Sequence, residues 1–278
     1  MAVAPPPAKN EPAAARAVLV DMRAGAPVRA GGHRADDDDI VTAWHHHDMH
    51  QLLYAFRGTV EVETASARHL LPPQQAAWIP SGVRHRTTLR DVSSASVFFA
   101  ADLMTSSGDR VRVVEARPLL REMIEQAQRW PIDRPASDAT AEVFFAAMAA
   151  LCAEWIETEL PFHLPVSADP AIARAIERTE ARLADVTIGD ACAAAAMSER
   201  SFRRHFLAET GTTWQQYRVQ SRVLRAMGLL GRDDHTVARC AAEVGFDSLS
   251  AFSRAFRRLV GESPGSYRRR VARGLPES

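Results

Sequence analysis

Lysine is nearly missing from this chain: Lys9 stands alone among 34 basic side chains, the rest being arginine. That bias points to a GC-rich genome and says nothing about mechanism. Cysteine is almost as scarce. Cys152, Cys192 and Cys240 are too few and too scattered for a disulfide framework or a zinc-finger spacing. No apolar run reaches about 18 residues, which excludes a membrane-spanning helix. The opening MAVAPPPAKNEPAAARA holds no apolar stretch of the signal-peptide kind, so no export signal is expected and a reducing cytoplasm is. Net charge is absent too, with 34 basic against 34 acidic side chains. What is present is a chain of 278 residues, 46% apolar, long enough for two domains and too apolar for wholesale disorder.

The zero net charge conceals a split. Residues 1–166 carry 16 basic and 21 acidic side chains, a net of −5; residues 167–278 carry 18 arginines and 13 acids, a net of +5. A basic C-terminal half suits a polyanion partner. Residues 1–18, rich in Pro and Ala, read as a disordered tail. From about 19 to 115 short apolar alternations broken by Gly, Pro and Asp read as strands. Val60 and Val62 alternate with Glu61 and Glu63, and Gly58 sits where a turn would join this strand to 51–56. The aspartate run 36–39 reads as a solvated loop. From Pro118 the period becomes helical, giving expected helices over 118–130 and 138–160. Pro161, Pro165 and Pro170 mark a linker, after which Asp169 can cap a helix that Pro170 opens.

The C-terminal third repeats itself with a period of 50 residues. Phe202 matches Phe252, Arg204 matches Arg254, Phe206 matches Phe256, Gly211 matches Gly261 and Tyr217 matches Tyr267. Each copy has a short apolar helix (188–195, 237–244), a tight turn, and a Ser (Ser198, Ser248) able to cap a second helix. That second helix buries Phe at i and i+4 and carries Arg on its other face. This is helix-turn-helix mechanics, with the second helix available to a major groove. Gly245 suits a turn needing positive φ; the first copy has Ala195 at the matching place. Residues 217–230 read as the helix connecting the copies.

MSERSFRRHFLAETGTTWQQYRVQSRVLRAMGLL, followed by VARCAAEVGFDSLSAFSRAFRRLVGESPGSYRRR, resembles the AraC/XylS family of bacterial transcription regulators. The resemblance covers about residues 170–272. It implies two helix-turn-helix units reading successive major grooves on one face of promoter DNA. The readers it implies are Arg200, Arg203 and Arg204 in the first unit and Leu249, Ser250 and Arg254 in the second. Arginine can pair bidentately with guanine, and Leu249 can touch a thymine methyl. Arg257, Arg258, Arg268, Arg269 and Arg270 suit phosphate.

In the N-terminal half, Trp44-His45-His46-His47-Asp48-Met49-His50-Gln51 places His45 and His47 on one side of an extended strand, with Gln51 on the same side if the strand runs unbroken. His46 and His50 then point outward or lie in a loop. His85 closes the run Pro80-Ser81-Gly82-Val83-Arg84-His85. The two runs resemble the two-part cupin signature, which implies a small β-barrel gathering these side chains at its mouth. Three histidines at neutral pH suit Zn²⁺, Ni²⁺ or Fe²⁺. Gln51 stands where the metal-binding pattern has Glu, and an amide oxygen is the weaker ligand. The alternative is a polar pocket of His45, His47 and His85 without metal.

The expected fold is therefore α+β and multidomain: a cupin-like β-barrel with flanking helices over 19–163, a linker over 164–170, and an all-α double helix-turn-helix domain over 171–273. The expected function is a ligand-responsive regulator whose sensor takes a small molecule or a metal. The expected partners are promoter DNA, RNA polymerase, an effector and a second copy of the chain, the last through the 118–160 helices, with no membrane. The competing reading is a metal-dependent cupin enzyme fused to a DNA-binding module.

Overall fold

The computed structural model describes residues 18–20, 28–104, 108–136, 138–232 and 235–273. The expected tail lies outside these residues except for Val18, which opens the first strand. The chain divides into two compact units, one of residues up to 65 together with 69–162, the other of 66–68 together with 163 onward. Among the described residues no helix is long and apolar enough to cross a membrane.

The strands up to residue 160 are β1 (Val18–Val20), β2 (Ala30–Val41), β3 (His45–His47), β4 (Met49–Glu63), β5 (Ala67–Leu71), β6 (Gln75–Ile79), β7 (Arg86–Ala100), β8 (Arg112–Glu115) and β9 (Glu159–Leu160), all but β5 lying wholly in the first unit. β4 is the hub. It pairs antiparallel with β6, Gln51 opposite Ile79, and with β7, Gln51 opposite Phe98. β7 pairs on to β2, and β6 on to β8 and β9. β1 runs parallel to β3.

Two of the expected breaks lie inside strands. Gly58, with φ +78°, is not a turn but a bulge within β4, where the register against β7 shifts on either side of Arg57. Residues 36–39 are not a loop but part of β2, whose register against β7 shifts at Asp38. Glycine and aspartate mark irregular backbone, and a bulge uses the same residues as a turn without ending the strand.

Residues 52–56 of β4 are buried on both faces. One face, with Leu52, Tyr54, Trp78, Val97 and Phe99, packs against α1 (Pro118–Ala127) and α2 (Ala139–Trp155). α1 contributes Leu120, Ile124 and Ala127; α2 contributes Phe145, Met148, Ala149 and Cys152. Each large side chain so buried contributes roughly 1.5–3 kcal/mol. Both helices are shorter than their apolar pattern. Gln128 and Trp130 donate to carbonyls three residues back, tightening the end of α1 into a turn. The Thr158 hydroxyl takes the Trp155 carbonyl just past the end of α2, at 2.8 Å.

The second unit is helical: α3 (Pro170–Ala181), α4 (Ile188–Ala195), α5 (Glu199–Thr210), α6 (Trp214–Leu230), α7 (Val237–Glu243), α8 (Leu249–Val260) and α9 (Pro264–Arg273). Asp169, Thr187, Ser198, Thr213, Thr236 and Ser248 cap α3 to α8 in turn, each side chain accepting a backbone N–H. Phe202, Phe206, Phe252 and Phe256 are fully buried, and Tyr217 and Tyr267 sit edge-on to Phe206 and Phe256 at 5.6 and 5.5 Å. The sequence repeat is thus a repeat in three dimensions.

The two turns correct one pairing. The left-handed residue after α4 is Ala196 (φ +55°), not Ala195, and its counterpart after α7 is Gly245 (φ +85°). Both turns close alike: Ala196 and Met197 donate to Ala193 and Cys192, as Gly245 and Phe246 donate to Ala242 and Ala241. The offset between copies is therefore 49 up to the turn and 50 after it. The second turn holds one extra residue, Phe246-Asp247 standing where the first has Met197 alone.

Candidate functional site

In the helical unit, α4 with α5 and α7 with α8 form the two helix-turn-helix pairs. Burial of the phenylalanines fixes which faces of α5 and α8 turn outward. On α5, Arg200, Arg203 and Arg204 are exposed, and Arg203 is held by Glu199 one turn earlier, at 2.9 and 2.7 Å. These arginines line an open cleft with Leu207, Thr213 and Trp214. On α8, Leu249 (49% exposed), Ser250 and Arg254 face outward. The repeat places one further residue there: Ser253 stands 50 residues after Arg203 and is half-buried. Sequence reading missed it, although the period alone points to it. Arg257 and Arg258 are exposed on the same helix. Arg270 is engaged by Glu262, at 2.9 and 2.7 Å, as Arg203 is by Glu199. The outward faces of α3 are likewise used within the fold, Arg174 reaching the Ala194 carbonyl at 3.0 Å and Arg178 and Arg182 approaching Asp190.

In the sheet unit, backbone hydrogen bonds draw the two histidine runs together. His45 and His85 exchange N–H to carbonyl bonds of 2.9 and 2.8 Å, and Gly82 N–H donates to the His47 carbonyl at 2.8 Å. The His85 ring lies 4.2 Å from that of His45 and 5.1 Å from that of His47, centroid to centroid. His50 is not outward. It is 4% exposed, lies against Trp78 at 5.3 Å, and accepts the Ser81 N–H at 2.9 Å. The strand breaks at Asp48 between β3 and β4, so alternation counted through that point fails for His50.

The three clustered imidazoles share one arrangement. Nδ1 faces a backbone carbonyl in each: Ala43 for His45 (2.9 Å), Met49 for His47 (2.5 Å) and Val83 for His85 (2.9 Å). A ring nitrogen facing a carbonyl must carry the hydrogen. Burial holds His45 and His47 below the ordinary histidine range, and burial with His45 and His47 alongside pushes His85 down to about 3. All three are therefore neutral at pH 7, with bare Nε2 atoms. The Nε2 of His85 is fully buried and meets no hydrogen-bond partner. The Nε2 of His47 lies 3.0 Å from the Gln51 amide, whose other end lies 2.8 Å from Ser96 Oγ. The amide oxygen Oε1 stands toward His47 Nε2 and the amide Nε2 donates to the Ser96 hydroxyl; a bare His47 nitrogen needs this amide turned end for end, so that its NH₂ donates. As the side chains stand, no three His, Cys, Asp or Glu among the described residues surround a common metal position.

Residues 31–151 match the family described as AraC-like ligand binding domain, and residues 191–270 match the helix-turn-helix domain. The chain is similar to the HTH-type transcriptional regulator NimR of Escherichia coli K12, at 29% identity over 248 residues covering 88% of each chain. It is similar over 90 residues to the transcriptional activator NphR of a Rhodococcus species, at 43% identity, covering 32% of this chain and 27% of that protein. Among solved structures, the DNA-binding domain of AdpA, in complex with a target DNA, is 33% identical and covers 40% of this chain and all of that one, with a TM-score of 0.37. The chain thus carries an AraC-like ligand-binding domain over 31–151 followed by a helix-turn-helix domain over 191–270, and along most of its length it is similar to an HTH-type transcriptional regulator.

Proposed function

We propose that this regulator reads promoter DNA in the cytoplasm through α5 and α8, and that the cluster of His45, His47 and His85 is its sensor site. The observation that carries the first part is the duplicated reader with two different outward faces. Arg200, Arg203 and Arg204 favour guanine edges; Ser250, Ser253 and Arg254 beside the exposed Leu249 favour a mixed half with a thymine methyl. An asymmetric two-part site follows. Selection of randomised duplex DNA on the full chain, followed by footprinting, tests it. Two protected patches about 10 base pairs apart on one face support the reading, and a flat selection refutes it.

The bare, buried Nε2 of His85 carries the second part. Three neutral imidazoles, each turned by an Nδ1–H to carbonyl bond, are the outer-shell arrangement that metal-ligating histidines use. The chemistry of the donor set therefore fits Zn²⁺, Ni²⁺ or Fe²⁺, held by His45, His47 and His85. His47 can join such a set only by leaving Gln51, which releases Ser96 on β7. Filled and empty states thus differ in hydrogen bonding, which is what a sensor needs. Equilibrium dialysis of the full chain with Zn²⁺, with thermal unfolding alongside, tests this. About one ion per chain and a raised Tm, both lost in His85→Ala, are expected. No uptake, or uptake that survives His85→Ala, assigns the pocket to an effector other than a metal.

A further inference from the structure

We infer that Arg222, on the connecting helix α6, is a positioning residue that fixes the separation and rotation of the two DNA readers. This rests on the reading that both units engage DNA at once.

Arg222 is only 8% exposed, an unusual place for a guanidinium. Its Nε donates to the Leu183 carbonyl at 3.0 Å and its Nη2 to the Ala184 carbonyl at 2.9 Å. These carbonyls lie in the loop between α3 and α4, at the foot of the first helix-turn-helix. One turn earlier on α6, Arg218 donates to the Val186 carbonyl of that loop at 3.0 Å. The second helix-turn-helix meets the same loop. A Cβ built on Gly245 would lie 1.9 Å from the Ala184 oxygen, so the second turn rests backbone to backbone on the residue that Arg222 holds. The guanidinium also lies over the Phe246 ring, 5.8 Å from its centroid, and Asp247 attracts both Arg218 and Arg222.

Phe246 and Asp247 occupy the place where the second turn is one residue longer than the first. The extra residue therefore serves the contact between the two units: it brings a ring and a carboxylate to the arginines of α6. Connecting helix, first-unit loop and second-unit turn converge on one buried cation. A helix alone sets a distance between readers, but leaves each free to rock on it. Arg222 removes that freedom, because its planar fork spans two adjacent carbonyls.

One inserted base pair rotates the second half-site by about 35° around the duplex. A rigid pair of readers cannot follow it; a loosened pair can. The test uses the full chain and the paired site selected from randomised DNA, with zero, one or two base pairs inserted between its halves. Wild type is expected to lose about tenfold in affinity per insertion, and Arg222→Lys no more than about twofold, while Arg222→Lys binds the uninterrupted site less tightly. Phe246→Leu, at the half-buried edge of the same contact, is read the same way and serves if Arg222→Lys does not fold. Spacing discrimination equal to wild type in both variants overturns the inference. So does a uniform loss at every spacing that follows thermal stability, which assigns Arg222 to stability alone. Selection that returns no paired site overturns this inference together with the two-reader function; a paired site with unchanged discrimination overturns this inference only.

Discussion

Tyr217 and Tyr267 occupy matching places in the repeat, and both are fully buried, yet their hydroxyls differ. Tyr217 donates to Glu180 Oε1 at 3.0 Å, where the Ser221 hydroxyl also donates at 3.0 Å. The Tyr267 hydroxyl is buried and meets no partner. Forty-nine residues after Glu180, the offset that holds ahead of the turn, stands Leu229, which cannot accept. Tyr217→Phe should therefore destabilise the full chain by about 1–3 kcal/mol, since it strips a donor from a carboxylate. Tyr267→Phe should be neutral or stabilise by about 1 kcal/mol, since it removes an unpaired buried hydroxyl. Urea unfolding of both variants checks the pair, and equal losses would contradict it. The repeat announced these tyrosines as equivalent; the difference lies in α3, whose packing partner the sequence does not name. The histidines show the same limit. Parity along β3 placed His45 and His47 together correctly, but counting through Asp48 sent the buried His50 outward.

At the scale of elements, the two turns offer an opposed pair of substitutions. Ala196 holds φ +55°, where a Cβ is unfavourable, and glycine there relieves it. Ala196→Gly should raise stability by about 0.5–1 kcal/mol. Gly245→Ala meets both a strained φ and the Ala184 oxygen, and should cost more than about 2 kcal/mol. Thermal unfolding of each variant tests the signs, and a stabilised Gly245→Ala would show that the loop yields freely. Gly245 could be read from the sequence because glycine advertises a left-handed turn. Ala196 could not, because an alanine carries no such signal and only the closing hydrogen bonds identify it. Gly58 misled in the other direction. Glycine serves a turn and a bulge equally, and it is pairing with β7, distant in sequence, that makes β4 one strand.

For the whole molecule the function turns on how affinity divides between bases and phosphates. Arg204→Ala should cost about 1–3 kcal/mol on the selected site and relax base preference at one position. Arg257→Ala, on exposed α8, should weaken all sequences alike and lower the slope of affinity against salt by about 1. Affinities measured from low to high salt on selected and scrambled DNA separate the two roles, and exchanged behaviour would exchange the assignments.

Local order sufficed for much of this protein. Helix caps, the 3.6-residue apolar stripe, the buried Phe pairs and the 50-residue period are short-range properties, so the helical reader and its arginine faces were legible from the chain. The change from strand to helix period near Pro118 was legible for the same reason. Contacts between residues far apart in sequence were not. That His85 comes within 4.2 Å of His45 was expected only through resemblance. That its Nε2 is left bare, that Gln51 engages His47 rather than waiting as a ligand, and that Arg222 is buried against the Leu183 and Ala184 carbonyls were decided by packing. Chain pattern dictates which face of an element is apolar; which polar atoms lose water, and which partners meet them, depends on elements the pattern cannot bring together.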